Sequence, residues 1–433
     1  MTLILHIYEA LSAKPWMRFV AGVGLGLLIW TFSSKALSDI VVYGAFLFAL
    51  FHTERGLPAW KQPAGIAFII LLVHHLVLLP FSVSPEMSIH DTEGLAEILA
   101  GIFAIPVIFN DRQKISNALF YSAAAITLTL AYDLARMTFY LGPNILAKAH
   151  SFQPFIMNHS NVASMMAGLS FFVFLFFAAR GAHGPPESLF SDGGRRTPCD
   201  VSIKPQKILV VAGCVVGCAV CLAYLVIAAS RGPQIAFAFA FACAGFILPG
   251  RRKKIIWLLA VIIFGAIVFA GIEHINPRFA EKSSMKNFSE RDKVWKHTWE
   301  LAMERKWFGY GYGKRNFEMN YYASQPQPAR FHFPHCHQYW LKLLFEYGWT
   351  GLCLYAAAWL ILAAGLLRRI YFTGTLDERL LPGVIALMLL FVHFYGMYDY
   401  PDNLVQIAQF WLVPAALVVM KCGQKEKTEN END

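Results

Sequence analysis

Charge is what this chain has least of. Asp, Glu, Lys and Arg make up 15% of its 433 residues, where soluble domains carry roughly 25%. Apolar residues reach 57% and aromatics 15%, which excludes an ordinary water-soluble globule and indicates an integral membrane protein. The cysteines do not form a disulfide framework. Cys214, Cys218 and Cys221 share one face of an apolar run and read as small packing residues. On the topology below only Cys336 lies clearly outside the cytoplasm, and it has no partner for a bridge. No repeat of fixed period is present. No small-residue cleavage site follows the first apolar run, which is therefore read as a retained helix. The net charge of +9 is largely a bias of the loops and carries no nucleic-acid signal.

What the chain does have is long apolar runs. About twelve of them approach the roughly 17 to 25 residues that cross a bilayer core: 16–34, 37–53, 64–81, 93–109, 115–134, 161–179, 208–228, 234–249, 254–272, 348–367, 381–398 and 404–420. Lys and Arg collect in alternate connections, namely Arg112/Lys114, Arg195/Arg196/Lys204/Lys207, Arg251 to Lys254, Arg368/Arg369/Arg379 and the tail. The opposing loops 82–92 and 399–403 have none, so both termini are expected inside and the long polar loop outside. The expected fold is all-α and polytopic. It comprises a bundle of about nine spans in 1–272, a large outer loop at 273–336, about three spans in 337–420 and a polar tail at 421–433. The Pro/Gly/Ser-rich stretch 181–206 reads as a linker inside the cell. Residues 135–159 read as an outer loop that ends in polar caps at Asn158 to Asn161.

The large loop has structure of its own. Ser289 and Asp292 mark a helix start, and Arg291, Trp295, Trp299, Ala302 and Met303 then fall on one stripe. That stripe is expected to face the bundle or the lipid interface. Gly309-Tyr310-Gly311-Tyr312-Gly313 follows as a tight, flexible turn. The loop carries eleven Lys and Arg against seven Asp and Glu, which suits an anionic ligand at the membrane surface.

His337 stands where this loop re-enters apolar helix, and a neutral imidazole there can act as a general base near pH 7. A role in helix capping or packing is the alternative. His332, His335 and His337 have no familiar zinc spacing, and no carboxylate or suitable cysteine pair completes them, so no metal is expected. Arg231, in the short outer turn Ser230-Arg231-Gly232, either meets an anion or reaches toward lipid headgroups. With Arg291 it could grip a diphosphate, because a planar guanidinium makes paired contacts with phosphate oxygens. Asp133 and Arg136, at i and i+3, read as a structural ion pair, and Lys342 and Glu346 as a local one. Asp399 and Asp402 either cap a helix, bind a sugar or orient His337.

Together, Ser230-Arg231-Gly232, Arg291-x3-Trp295, the glycine-tyrosine turn and His337-Gln338-x9-Gly348-x2-Gly351 resemble the O-antigen ligase and polymerase superfamily. The resemblance covers the topology of the whole chain, and the histidine element is its most specific part. It implies a membrane glycosyltransferase of the GT-C type. Such an enzyme takes a glycan from undecaprenyl diphosphate on the periplasmic face of the bacterial inner membrane and, in the ligase branch, transfers it to lipid A–core. The reaction implied is inverting and uses no metal or other cofactor. His337 matches the catalytic histidine, and Arg231 and Arg291 match the arginines assigned to the diphosphate. Gln338 stands where Asn is also common, and Asp399 is a match of position only. Arg136 and His335 are secondary candidates. The resemblance leaves a polymerase open. A glycan transporter, which would need ionisable residues along a mid-membrane path, finds only Glu97, His74, His75 and His393.

Overall fold

The computed structural model describes residues 20–24, 27, 35–142, 145, 152, 154, 160–183, 205–228, 230–248, 250–275, 291–324, 333, 335–373, 375–399 and 408–429. Among these the longer elements are all α-helices: α1 (Lys35–Leu50), α2 (Thr53–Trp60), α3 (Pro63–Leu78), α4 (Pro85–Ile108), α5 (Arg112–Leu141), α6 (Ser160–His183), α7 (Pro205–Ile227), α8 (Arg231–Cys243), α9 (Arg251–Ile275), α10 (Arg291–Glu304), α11 (Lys314–Ala323), α12 (Tyr339–Phe372), α13 (Leu376–Tyr395) and α14 (Val413–Glu429). Among the described residues six stretches are long and apolar enough to cross a membrane: Pro63–Phe81, Arg112–Leu141, Ser160–Gly181, Ile208–Ile227, Tyr339–Phe372 and Leu376–Tyr395. These coincide with six of the twelve expected spans. Ala96–Ile108, Arg231–Ile247 and Val413–Cys422 are apolar but shorter. The α4 helix carries Glu86, Asp91, Glu93 and Glu97, and its apolar run is the C-terminal part. Most of the expected span 16–34, the linker interior 184–204 and most of the outer loop beyond Gly142 lie outside the described residues, as do Ser289, His332 and Asp402.

The chain divides into two compact units. The first comprises Met1–Ser38, Asp111–Asn276 and Thr373–Met388. Its centre is α6, a helix apolar on nearly every side and correspondingly buried. Phenylalanines do most of the packing: Phe171 meets Phe237 edge to face at 5.0 Å, and Phe120 lies 4.6 Å from Phe177. Cys214 and Cys221 are buried on α7, which is where small packing residues belong.

The second unit comprises Asp39–Asn110, Pro277–Phe372 and Leu389–Asp433. Here α12 packs on α3, while α10 and α11 close over its N-terminal half through Val294, Leu301, Phe317, Tyr321 and Phe345. The buried positions of α10 are Val294, Thr298, Leu301 and Ala302. The expected stripe is thus displaced by one residue, about 100° around the helix. Trp299 stays 47% exposed, because the aromatic residues straddle the edge of the buried face.

The helix α12 is broken inside. Gly348 has φ 63° and ψ −165°, a conformation essentially confined to glycine. The break separates the carbonyls of Phe345 and Glu346 from the amides of Trp349 and Thr350, their helical partners. The preceding loop supplies replacements for all four groups. Tyr310 N–H donates to Phe345 O at 2.8 Å and Gly311 N–H to Glu346 O at 3.0 Å. Trp349 N–H donates to Lys306 O at 2.6 Å and Thr350 N–H to Trp307 O at 3.3 Å. The Tyr310 ring stacks on Phe345 at 4.8 Å, and Gly309 is the residue that lets the two backbones approach, since a Cβ there would lie 2.5 Å from Glu346 C. The glycine-tyrosine segment, expected to be a flexible turn, is instead docked into a helix break.

Substituting Gly348 by Ala places a Cβ against the Trp307 carbonyl group and imposes a positive φ on a residue with a side chain. The expected loss is about 2 kcal/mol or more, read as a lowered midpoint in thermal unfolding of the detergent-purified protein. Gly44→Ala is the control: no neighbour lies within 4 Å of a Cβ there, and stability should be unchanged or slightly raised.

Candidate functional site

Three segments of the second unit meet around His337. The first is the start of α10, which begins at Arg291. The second is the strap leading into α12, and the third is the turn that follows α13. The strap is held at each step. Trp295 Nε1–H donates to the Cys336 carbonyl at 2.8 Å, the Gln338 side chain accepts the Leu341 amide at 2.9 Å, and Tyr339 N–H donates to Gly396 O at 2.7 Å. Gln338 therefore caps α12. His337 sits between these clamps with φ +55°, the one non-glycine residue with positive φ among those described. Such a backbone costs about 1–3 kcal/mol and persists where surrounding contacts over-determine it.

Asp399 is the hub of the site. It is 7% exposed, and its Oδ1 lies 2.9 Å from His337 Nδ1. Its Oδ2 accepts from the Tyr395 hydroxyl at 3.1 Å and from Arg291 Nη2 at 3.4 Å. Arg291 Nη1 donates to Tyr398 O at 2.9 Å. An ionised carboxylate only accepts hydrogen bonds, so the proton of a neutral His337 belongs on Nδ1. Nε2 then carries the lone pair and is the basic atom. His335 packs on the same ring at 4.3 Å, and Phe333 meets it edge-on at 5.7 Å.

His335, His337 and Asp399 place ligand-type atoms within 4.8 Å of one another. The expectation that no carboxylate would complete the histidines is thereby corrected: Asp399 does, from 62 residues further on. Yet Oδ1 is engaged with the His337 ring and Oδ2 with a hydroxyl and a guanidinium, whose positive charge opposes a cation at the same carboxylate.

The remaining candidates fall elsewhere. Arg136 pairs with Asp133 at 3.1 Å, the latter fully buried, as a structural ion pair in the first unit. Arg231 opens α8, also in the first unit, half-buried and preceded by Ser230, whose hydroxyl donates to Asn161 Oδ1. Its convergence with Arg291 and His337 is an expectation that spans the two units. Lys342 and Glu346 are a buried pair at 3.7 Å, and Glu346 also accepts the Gly313 amide at 3.0 Å. Tyr395 had no place in the sequence reading. Its only signal is that it precedes Asp399 by four residues, one turn at the end of an apolar run.

Two cavities flank the start of α12. One, of about 740 Å³, is walled by apolar residues such as Trp60, Phe68 and Phe103, with His74, His75, Tyr312, Lys342 and Glu346 as its polar members. The other, of about 300 Å³, is lined by Trp295, Trp299, Trp340, Trp349 and Gln338.

Cys336, although adjacent to the histidine, is not a nucleophile. It is fully buried and its thiol is pushed up to about 12 by desolvation, so it is protonated at neutral pH and unreactive. Mass-spectrometric mapping after maleimide treatment should find Cys336 unlabelled in the native protein and labelled after denaturation. Labelling without denaturation would show that the strap opens.

Residues 216–356 match the O-antigen ligase family. No curated protein matches the chain.

Proposed function

On membership of the O-antigen ligase and polymerase superfamily, which the match over residues 216–356 supports, we propose that this chain is an inverting, metal-independent O-antigen ligase. It moves the O-antigen polysaccharide from undecaprenyl diphosphate to the terminal sugar of lipid A–core, on the periplasmic face of the bacterial inner membrane, within a helical framework of the GT-C type. The observation that carries this reading is the bond from His337 Nδ1 to the buried Asp399. It leaves Nε2 as a base at the boundary between a polar segment and a long apolar helix.

In the proposed reaction Nε2 of His337 takes the proton from an acceptor hydroxyl. That oxygen forms a bond to the anomeric carbon while the bond from that carbon to the diphosphate oxygen breaks on the opposite face. The electron pair leaves with undecaprenyl diphosphate, and the imidazolium is balanced by Asp399. The leaving group gains negative charge, for which guanidinium groups are the natural counterpart. Arg231 is assigned to it. Arg291 combines this role with holding Asp399, since two of its nitrogens are bonded to Tyr398 O and Asp399 and its Nε has no hydrogen-bond partner. The 740 Å³ chamber offers a bed for a hydrocarbon chain, and the tryptophan-lined one offers ring faces for sugars.

The test is transfer from undecaprenyl-diphosphate-linked glycan to lipid A–core by purified protein. His337→Ala should fold and lose about 10²- to 10⁴-fold in rate, the ordinary contribution of a general base, with lipid-linked polymer accumulating in cells. Wild-type transfer should survive EDTA, and abolition by EDTA would overturn the metal-free mechanism. If cells carrying the variant place single repeat units on the core, the protein is a polymerase.

A further inference from the structure

We propose that Tyr395 is a positioning residue for the transfer, holding the Asp399 carboxylate so that its Oδ1 stays on the histidine. The proposal rests on the general-base reading of His337 above. Tyr395 ends α13 and is 1% exposed. It holds Asp399 twice, once by its hydroxyl on Oδ2 at 3.1 Å and once by its carbonyl, which accepts the Asp399 amide at 3.1 Å. Backbone and carboxylate are therefore both referred to a single residue.

The carboxylate divides its oxygens. Oδ1 faces the imidazole, while Oδ2 takes the phenol and, at the longer 3.4 Å, Arg291. Without the phenol, Oδ2 would be restrained by that longer contact, and the plane of the carboxylate could swing. If Oδ1 turns away from the ring, the His337 imidazolium loses part of its counter-charge. Among the described residues, Arg291 from α10, His335 from the strap and Tyr395 from α13 face Asp399 and His337. Of these only Tyr395 can be altered by removing one oxygen while the packing volume stays almost the same.

Tyr395→Phe is thus the variant, measured in the full-length protein with the same transfer assay across pH. The expected result is kcat reduced about ten-fold, as for loss of one hydrogen bond to a charged group, with KM for the lipid-linked donor unchanged. The acid limb of the kcat profile should move to lower pH, because a carboxylate that swings off the ring stabilises the His337 imidazolium less. A purely structural tyrosine would lower the unfolding midpoint and leave the profile in place. An acid limb that stays put or moves up, or a wild-type kcat, would overturn the proposal. His337→Ala and Asp399→Asn separate the two levels. If both are inactive while Tyr395→Phe matches wild type, only the role of Tyr395 fails. If both are fully active, the general-base reading falls and takes this inference with it.

Discussion

A helix that breaks inside must find partners for the backbone groups it releases, since a buried N–H or C=O left unpaired is costly. In α12 the break at Gly348 releases two carbonyls and two amides, and residues 306–311 satisfy all four. That exchange fixes the register between the polar segment and the long helix. The neighbouring contacts follow from it. Tyr310 can stack on Phe345, Glu346 can receive the Gly313 amide, and Asn316 can reach Ser88 at 2.9 Å, while Asp91 accepts the Arg315 amide at 3.1 Å. Helices α10 and α11 rest on a surface defined by those bonds.

The site is built on the same support and adds strain of its own. His337 is held with positive φ by contacts on both sides of it, the Trp295 indole on Cys336 O and the Gly396 carbonyl on the Tyr339 amide. A residue relaxed to negative φ would turn its side chain away from Asp399. The energy stored in that backbone is small beside the several bonds that oppose its release. The ring is accordingly held in one orientation by the fold.

Much of this was legible from residue types and run lengths. The spans that became α3, α5, α6, α7, α12 and α13 are uninterrupted apolar runs, and such runs have few alternatives. The first half of α4 is hidden by its acids, of which Asp91 accepts from the amide of Arg315, 224 residues away. Gly348 was read as the start of a span. A glycine ahead of an apolar run looks like a boundary until one sees that helix precedes it. His337, Arg291 and Asp399 were each visible as titratable residues at the edge of apolar sequence. Orienting His337 is one of three readings the sequence leaves open for Asp399; the bonds join positions 62 and 108 residues apart, and no local pattern chooses among those readings. Tyr395 was invisible for a different reason: a tyrosine at the end of a membrane run is ordinarily an interfacial anchor, and only the contact with Asp399 distinguishes it.

The distance in sequence between His337 and Asp399 has a consequence for biogenesis. A chain is made from its N-terminus, so the histidine and its arginine are synthesised well before the aspartate that unites them. Between the two lie all of α12 and α13, each of which has to be threaded and inserted first. A half-made protein can already display a polar segment rich in tryptophan and arginine, yet its imidazole has no carboxylate to set the tautomer. The pairing of imidazole and carboxylate therefore arrives late, with the turn after α13.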